Sequence, residues 1–313
     1  MLAPVRSWRP APTVVRRAFL GALVMNTVIV VTGGAVRLTA SGLGCPTFPR
    51  CTDTSLVATR EMGLHGAIEF GNRMLTFVLT AAVVAALVVA WRAGRRDLAR
   101  PAALLLLGIV AQAALGGVTV LTGLNPLTVM AHFLVSMGLI AVATLGYERA
   151  THQVGTPVAG TPVAGTPVAG TPSSALLLGT RLLLVCAVGT LVLGTVVTGT
   201  GPHSGDKDAG DRLPFDLAAV SQLHADSVLL LLGLTVGLLL AARALGTESS
   251  ASPLARRLLL LLGVVLAQGL IGFLQYATDL PVALVAAHLL GACLVWIAAL
   301  RVHLAAVTTA PVR

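Results

Sequence analysis

The stretch His65-Gly-Ala-Ile-Glu69-Phe-Gly-Asn72-Arg73 stands at the start of an apolar run that continues to Trp91. The run is long and apolar enough to cross a bilayer as one helix. Residues three, four and seven apart share a helix face, so His65, Glu69 and Asn72 project the same way. Ionisable groups in a membrane helix are costly and usually face a bundle interior, which makes them candidates for a functional site. The alternative is that these residues are only the wet end of the helix, with Arg73 reaching lipid headgroups.

The composition is that of a polytopic membrane protein. Of 313 residues, 56% are hydrophobic and 11% are charged, and the mean hydropathy is +0.91, far above ordinary soluble usage. The formal net charge of +9 does not indicate a nucleic-acid partner, because the basic residues lie in short loops between apolar runs and no nucleic-acid-binding motif is present.

The apolar runs predict an all-α fold with about eight transmembrane helices. They lie at roughly 15–36, 64–91, 101–122, 127–146, 176–199, 217–242, 256–276 and 281–305. Fifteen of the 21 Lys and Arg residues lie in the termini and in every second loop, and five lie in the opposite loops. The positive-inside rule then predicts a multi-pass cell-membrane protein with both termini in the cytoplasm. Cys45 and Cys51 are expected on the oxidising side, where a disulfide can persist.

Two halves of the chain resemble each other. Gln112, Gly116 and His132 recur as Gln268, Gly272 and His288 at a constant offset of 156 residues. The repeat predicts an internal duplication, and an even number of spans per half predicts two parallel four-helix bundles. The segments expected are a basic cytoplasmic tail at 1–14, an N-terminal half at 15–146, a Gly/Pro/Thr-rich cytoplasmic linker at 147–175, a C-terminal half at 176–305 and a cytoplasmic tail at 306–313.

Histidines near the start of three helices are candidate iron ligands. A single histidine in an apolar helix is more often a hydrogen-bonded packing residue, but facing helices of a bundle can place two imidazoles on either side of a haem iron. His224 and His288 form such a pair for the C-terminal half. The N-terminal half offers His132, with Asn72 at the position matching His224 and His65 further out on the same face. This asymmetry favours one catalytic site and one structural or redox site.

A motif of the first loop, taken with these residues, is similar to a known family. The segment Gly33-Gly-Ala-Val-Arg37-Leu-Thr-Ala-Ser41-Gly-Leu-Gly-Cys45-Pro46, followed by Cys51, Glu69-Phe-Gly-Asn72-Arg73, His132, His224 and His288, resembles the haem A synthases over about residues 15–305. The resemblance implies a membrane oxidoreductase that oxidises the C8 methyl group of haem O to a formyl group, giving haem A for cytochrome oxidase. It also implies eight helices in two similar halves.

The resemblance assigns roles to particular residues. Haem b would lie between His224 and His288, and the substrate haem O would lie in the N-terminal half on His132. The family's essential glutamate corresponds to Glu69, and its cysteine pair corresponds to Cys45 and Cys51. The family's second-helix histidine corresponds to Asn72, which is a departure from the pattern and leaves His65 as the stand-in ligand. The expected partners are the lipid bilayer, haem O synthase and an unidentified electron donor or acceptor.

Several roles stay open at the level of the sequence. Arg37 and Arg73 are candidates to pair with haem propionates, since guanidinium matches carboxylate, although Arg37 could equally anchor a helix at the interface. Glu69 could shuttle protons or stabilise a developing cation. The cysteine pair could brace its loop or relay electrons. The alternative functions are a di-haem b-type electron carrier without chemistry on haem, which would want four well-placed histidines, and a transporter or haem-binding protein.

Overall fold

The computed structural model describes residues 9–151, 174–244 and 253–308. Within these ranges the chain forms eight α-helices that are each long and apolar enough to cross a membrane, so the all-α polytopic prediction is confirmed. The helices are α1 Pro12–Leu38, α2 Gly63–Arg92, α3 Arg96–Leu121, α4 Pro126–Thr151, α5 Ser174–Thr200, α6 Leu217–Ala244, α7 Pro253–Ala277 and α8 Val282–Thr308. Most of the predicted linker lies outside the described residues.

The third helix begins earlier than its apolar run predicts. Pro101 was the expected first residue, but α3 begins at Arg96 and contains Pro101 in its second turn. Proline has no backbone N–H, so the carbonyl of Asp97 lacks its usual partner four residues on. The guanidinium of Arg149 donates to that carbonyl at 3.4 Å. A side chain from α4 therefore compensates for the proline, which hydropathy alone does not reveal.

Each group of four helices closes into a ring. In the first half α1 packs against α2, α2 against α3, α3 against α4 and α4 against α1, and α5 to α8 repeat the same order of contacts. The halves meet where α4 packs against α8, α1 against α8 and α5 against α4. This set of contacts is unchanged when each helix is exchanged for its counterpart, as a parallel two-fold arrangement requires. The internal duplication itself stays a prediction.

Polar contacts between helices also join the two halves. The indole N–H of Trp296 on α8 donates to the carbonyl of Met137 on α4 at 2.9 Å. Near the C-terminal end of α4, the side chain of Glu148 is 4% exposed, and its carboxylate binds the guanidiniums of Arg257 and Arg301. A buried carboxylate needs such partners because desolvation of an unpaired charge is expensive.

Four connections gather at one end of the bundle, which we call the loop end: residues 39–59, 122–125, 201–216 and 278–281. The backbone N–H of Gly42 donates to the carbonyl of Gly205 at 2.8 Å, and that of Gly210 donates to Gly123 at 2.9 Å. Gly205 has a φ of 107°, a conformation that side chains with a Cβ rarely adopt. The loops of the two halves are thus hydrogen-bonded to each other above the helix bundle.

Candidate functional site

The carboxylate of Glu69 is the buried acidic group at the loop end of α2. Its side chain accepts a hydrogen bond from the backbone N–H of Cys45 at 2.6 Å through Oε2. Its Oε1 accepts from the guanidinium of Arg73, one helical turn further along α2. Residue Glu69 as a whole is 5% exposed. A carboxylate held by one backbone donor and one charged donor is fixed in position and loses little freedom when a substrate arrives.

The first loop is held over α2 by Arg73. Besides Glu69, its guanidinium donates to the carbonyls of Cys45, Thr47 and Arg50 at 2.9, 3.1 and 3.1 Å. The loop also approaches α2 closely at Gly44, where an added Cβ would lie 2.4 Å from the carbonyl oxygen of His65. Only glycine allows this approach, which explains a glycine directly before the cysteine that binds Glu69.

Cys45 and Cys51 form a disulfide inside this loop, as expected. Both residues are fully buried, and the sulfur of Cys51 lies 3.5 Å from that of Met62. Cys45 also supplies the backbone N–H that binds Glu69, so the disulfide restrains the same residue that holds the carboxylate. This contact favours a bracing role for the cysteine pair.

His65 lies at the loop end of α2 and is exposed. Its Nδ1 lies 3.0 Å from the hydroxyl oxygen of Ser41, just after α1. Asn72, two turns further along α2, accepts a hydrogen bond at 2.8 Å from the hydroxyl of Thr32 on α1. The two side chains therefore bind the same neighbouring segment at different depths.

Three candidate ligands share one local arrangement. The Cε1 edge of each imidazole rests on a glycine of the preceding helix, at 3.0 to 3.2 Å from where a Cβ would stand. The pairs are His132 on Gly116, His224 on Gly194 and His288 on Gly272. A methyl group at any of these glycines would press on the ring. We call these three glycines the ring seats.

Two glutamines hold the helices that carry two of the histidines. The amide of Gln112 on α3 donates to the carbonyl of His132 at 3.0 Å, and the amide of Gln268 on α7 donates to the carbonyl of His288 at 2.7 Å. These bonds fix the backbone of each histidine against its partner helix. In both halves, the repeated Gln and Gly residues therefore position the imidazole of a histidine.

His224 and His288 face each other in the second half, with ring centroids 6.4 Å apart. Two metal–imidazole bonds of about 2 Å each, with about 1 Å from each nitrogen to its ring centre, add to roughly 6 Å. The Nδ1 atoms of His132 and His288 are buried and have no hydrogen-bond partner among the residues described. They are not the hydrogen-bonded packing residues that an isolated histidine usually is. The facing rings of His224 and His288 are thus spaced as an iron porphyrin held from both sides would require.

Arg37 binds the second half through its loop. Its guanidinium donates to the carbonyl of His203 at 2.7 Å and to that of Thr198 at 2.9 Å. Arg212, in the loop before α6, also donates to the carbonyl of Thr198, and its partial burial lowers the pKa of its guanidinium. Arg37 and Arg73 thus both hold loops through backbone carbonyls, which is a role that the sequence did not predict for either.

The structure also adds residues that sequence reasoning did not single out for the site. Thr32 and Ser41 bind Asn72 and His65, and the ring seat Gly194 lies against His224. Thr32 and Gly194 carry no signal in a single sequence, because small and hydroxyl residues are common in membrane helices. In the described ranges, no group of three or more His, Cys, Asp or Glu side chains is arranged to hold a metal ion.

Comparison with known proteins gives two matches. The family model described as cytochrome oxidase assembly protein (COX15-CtaA) matches residues 16–203, which is more than half of the chain. The matched range includes Glu69 and His132 and ends before His224. A heme A synthase of Geobacillus kaustophilus (strain HTA426) is 31% identical over 114 residues, covering 36% of this chain and 35% of the relative. The alignment therefore spans about a third of that relative's length.

Proposed function

This chain belongs to the COX15-CtaA family of cytochrome oxidase assembly proteins, and we propose that it is a haem A synthase. In this proposal the substrate is haem O, and the enzyme oxidises its C8 methyl group to the formyl group of haem A. The similarity to a heme A synthase supports the reaction class. Because that similarity covers a limited part of both chains, the arrangement of the site carries most of the argument.

The observation that carries the proposal is the buried carboxylate of Glu69. Oxidation of a methyl to a formyl group (–CH3 + H2O → –CHO + 4 H+ + 4 e−) adds one oxygen atom and releases protons beside the reacting carbon, and a carboxylate held there can accept them. Glu69 is held on one side by the Cys45 N–H and on the other by Arg73. Each carboxylate oxygen still has a lone pair for a further proton or hydrogen bond. In a binding protein or an electron carrier, this carboxylate would only brace the first loop against α2.

We propose that the second half binds a resident haem b. His224 and His288 would bind its iron, and Gln268 with the ring seats Gly194 and Gly272 would hold the two imidazoles in place. A haem held there by the two histidines would supply one-electron transfer to an electron partner outside the bundle.

The first half would receive haem O. His132 would bind the substrate iron, with its backbone fixed by Gln112. A guanidinium has five N–H donors; Arg37 donates two hydrogen bonds and Arg73 donates four, one of them to Glu69. We propose that the donors left over contact the substrate propionates. Haem O synthase would supply the substrate, and the chain would lie in the cell membrane with both termini in the cytoplasm, as the distribution of basic residues predicts.

The test is haem extraction and chromatography from cells that lack their own haem A synthase and contain haem O. The wild-type chain should produce haem A, whereas Glu69→Gln, which keeps the shape but cannot hold the proton, should leave haem O unconverted with normal haem b content. Glu61→Gln is the matched control, because Glu61 is exposed in the short turn before α2 and should be active. Haem b bound by the wild type without any conversion of haem O would favour the electron carrier.

A further inference from the structure

The two halves differ at one ligand position. Asn72 on α2 takes the place of His224 on α6 when 68–72 is aligned with 220–224. The surroundings correspond as well: the amide nitrogen of Asn72 lies 3.9 Å from where a Cβ of Gly33 would stand, on the helix equivalent to the one that seats His224. Three of the four equivalent positions therefore carry a histidine, and the fourth carries an amide.

Asn72 is tied to the protein. Its Oδ1 lies 2.8 Å from the hydroxyl of Thr32 on α1, so part of its hydrogen-bonding capacity is used within the bundle. A neutral amide is also absent from the usual axial ligands of haem iron, which are imidazole, thiolate, thioether and phenolate. By its alignment with His224, Asn72 takes the position that would face His132, and an amide there does not close that position as an imidazole would.

His65 lies at the wrong depth to replace the missing imidazole. It precedes Asn72 by two helical turns, and a rise of 1.5 Å per residue puts its Cα about 10 Å nearer the loop end. Its Nδ1 is engaged by Ser41 at 3.0 Å, and the residue is exposed. By contrast, His224 and His288 stand directly across the second bundle from each other. An imidazole on the far side of the first bundle is thus lacking at the depth of Asn72.

We propose that an iron porphyrin in the first half is bound by one protein imidazole, from His132, and that its Asn72 side is open to a small iron ligand such as carbon monoxide. This inference rests on the proposed function, because it assumes that the first half binds haem. The chain then holds one six-coordinate haem and one five-coordinate haem. Ligand binding from solution distinguishes the two, since an iron with both axial positions filled by histidine has no free position.

The experiment uses the full-length chain, purified in detergent and loaded with haem O. After reduction, carbon monoxide should bind the haem of the first half and leave the low-spin spectrum of the His224–His288 haem unchanged. His132→Ala should remove the carbon monoxide-reactive haem. Asn72→His should retain that haem but convert it to a low-spin form with loss of carbon monoxide binding.

Two further variants keep the proposal open to refutation if Asn72→His fails to fold. Asn72→Ala and His65→Ala should both keep a carbon monoxide-reactive first-half haem. A wild-type protein with only low-spin haem and no carbon monoxide binding would overturn the proposal, and so would a His65→Ala variant that alone gains such binding. The spectra do not depend on turnover. An open first-half haem in a protein that never makes haem A would therefore refute the proposed function and leave this inference standing.

Discussion

Replacing Gly272 with alanine should displace the imidazole of His288. The ideal Cβ at Gly272 lies 3.0 Å from Cε1 of His288, whereas ordinary contacts begin at 3.4 Å, so the ring has to move by roughly 0.4 Å. Gln268 holds the carbonyl of His288 at 2.7 Å, which keeps the backbone from moving with the ring. The displacement therefore falls on the side chain.

A ring shift of this size is large for a metal ligand. Metal–ligand distances in proteins vary by only about 0.2 Å around their ideal values. We therefore expect Gly272→Ala to keep the fold but to weaken the bond from His288 to the iron of the proposed haem b. The optical and electron paramagnetic resonance spectra should show part of the haem converted from low spin to high spin, with a shifted reduction potential.

The matched control is Gly269→Ala on the same helix. An added Cβ at Gly269 meets nothing within 4 Å, and both substitutions gain about 1 kcal/mol of helix propensity. Only the contact with the imidazole differs between them. If Gly272→Ala and Gly269→Ala gave the same haem spectrum and the same potential, the role assigned to the ring seats would be refuted. Gly194→Ala should act on His224 in the same direction as Gly272→Ala acts on His288.

Two other substitutions test contacts that hold the site and the halves. Glu148→Ala leaves two guanidiniums facing each other at the interface between the halves, so we expect a loss of about 3 kcal/mol in the free energy of unfolding, measured as a lower midpoint of thermal unfolding in detergent. The control Asp97→Ala removes an exposed ion pair and should cost less than about 1 kcal/mol. Equal midpoints for the two variants would contradict the role of Glu148 at the interface. Replacing Cys45 and Cys51 together by serine opens a loop of sequence separation 6 and should lower the free energy of unfolding by about 2 kcal/mol. Haem A formation should fall while haem b content is kept. Unchanged haem A formation would show that Glu69 does not depend on the disulfide.

Much of the fold is readable from the order of residues. The apolar runs predict eight helices because burying a helix in a bilayer depends on the local average of hydropathy, which is a property of the sequence alone. The recurrence of Gln, Gly and His at one offset identified two positions with the same surroundings. Glu69 stood out because a carboxylate in an apolar helix is costly unless it has a use. Family resemblance then connected these residues to one reaction.

The partners of these residues were decided by the tertiary structure. Nothing local to Glu69 indicates that its second oxygen is bound by the backbone of Cys45, because that contact depends on how the loop packs over α2. The sequence left Arg37 open between a propionate contact and an interface anchor, and only the structure shows that its guanidinium donates to the carbonyl of His203, far along the chain. Such contacts arise when helices distant in sequence come together.

The choice between His65 and Asn72 shows the same division. The sequence placed both on one face of a helix, since helical periodicity fixes direction. Whether either can meet an iron depends on depth relative to the facing helix and on neighbours such as Thr32 and Ser41. Direction around a helix axis is local and can be read from spacing. Distance across a bundle is a property of the packed whole, so it belongs to the tertiary structure alone.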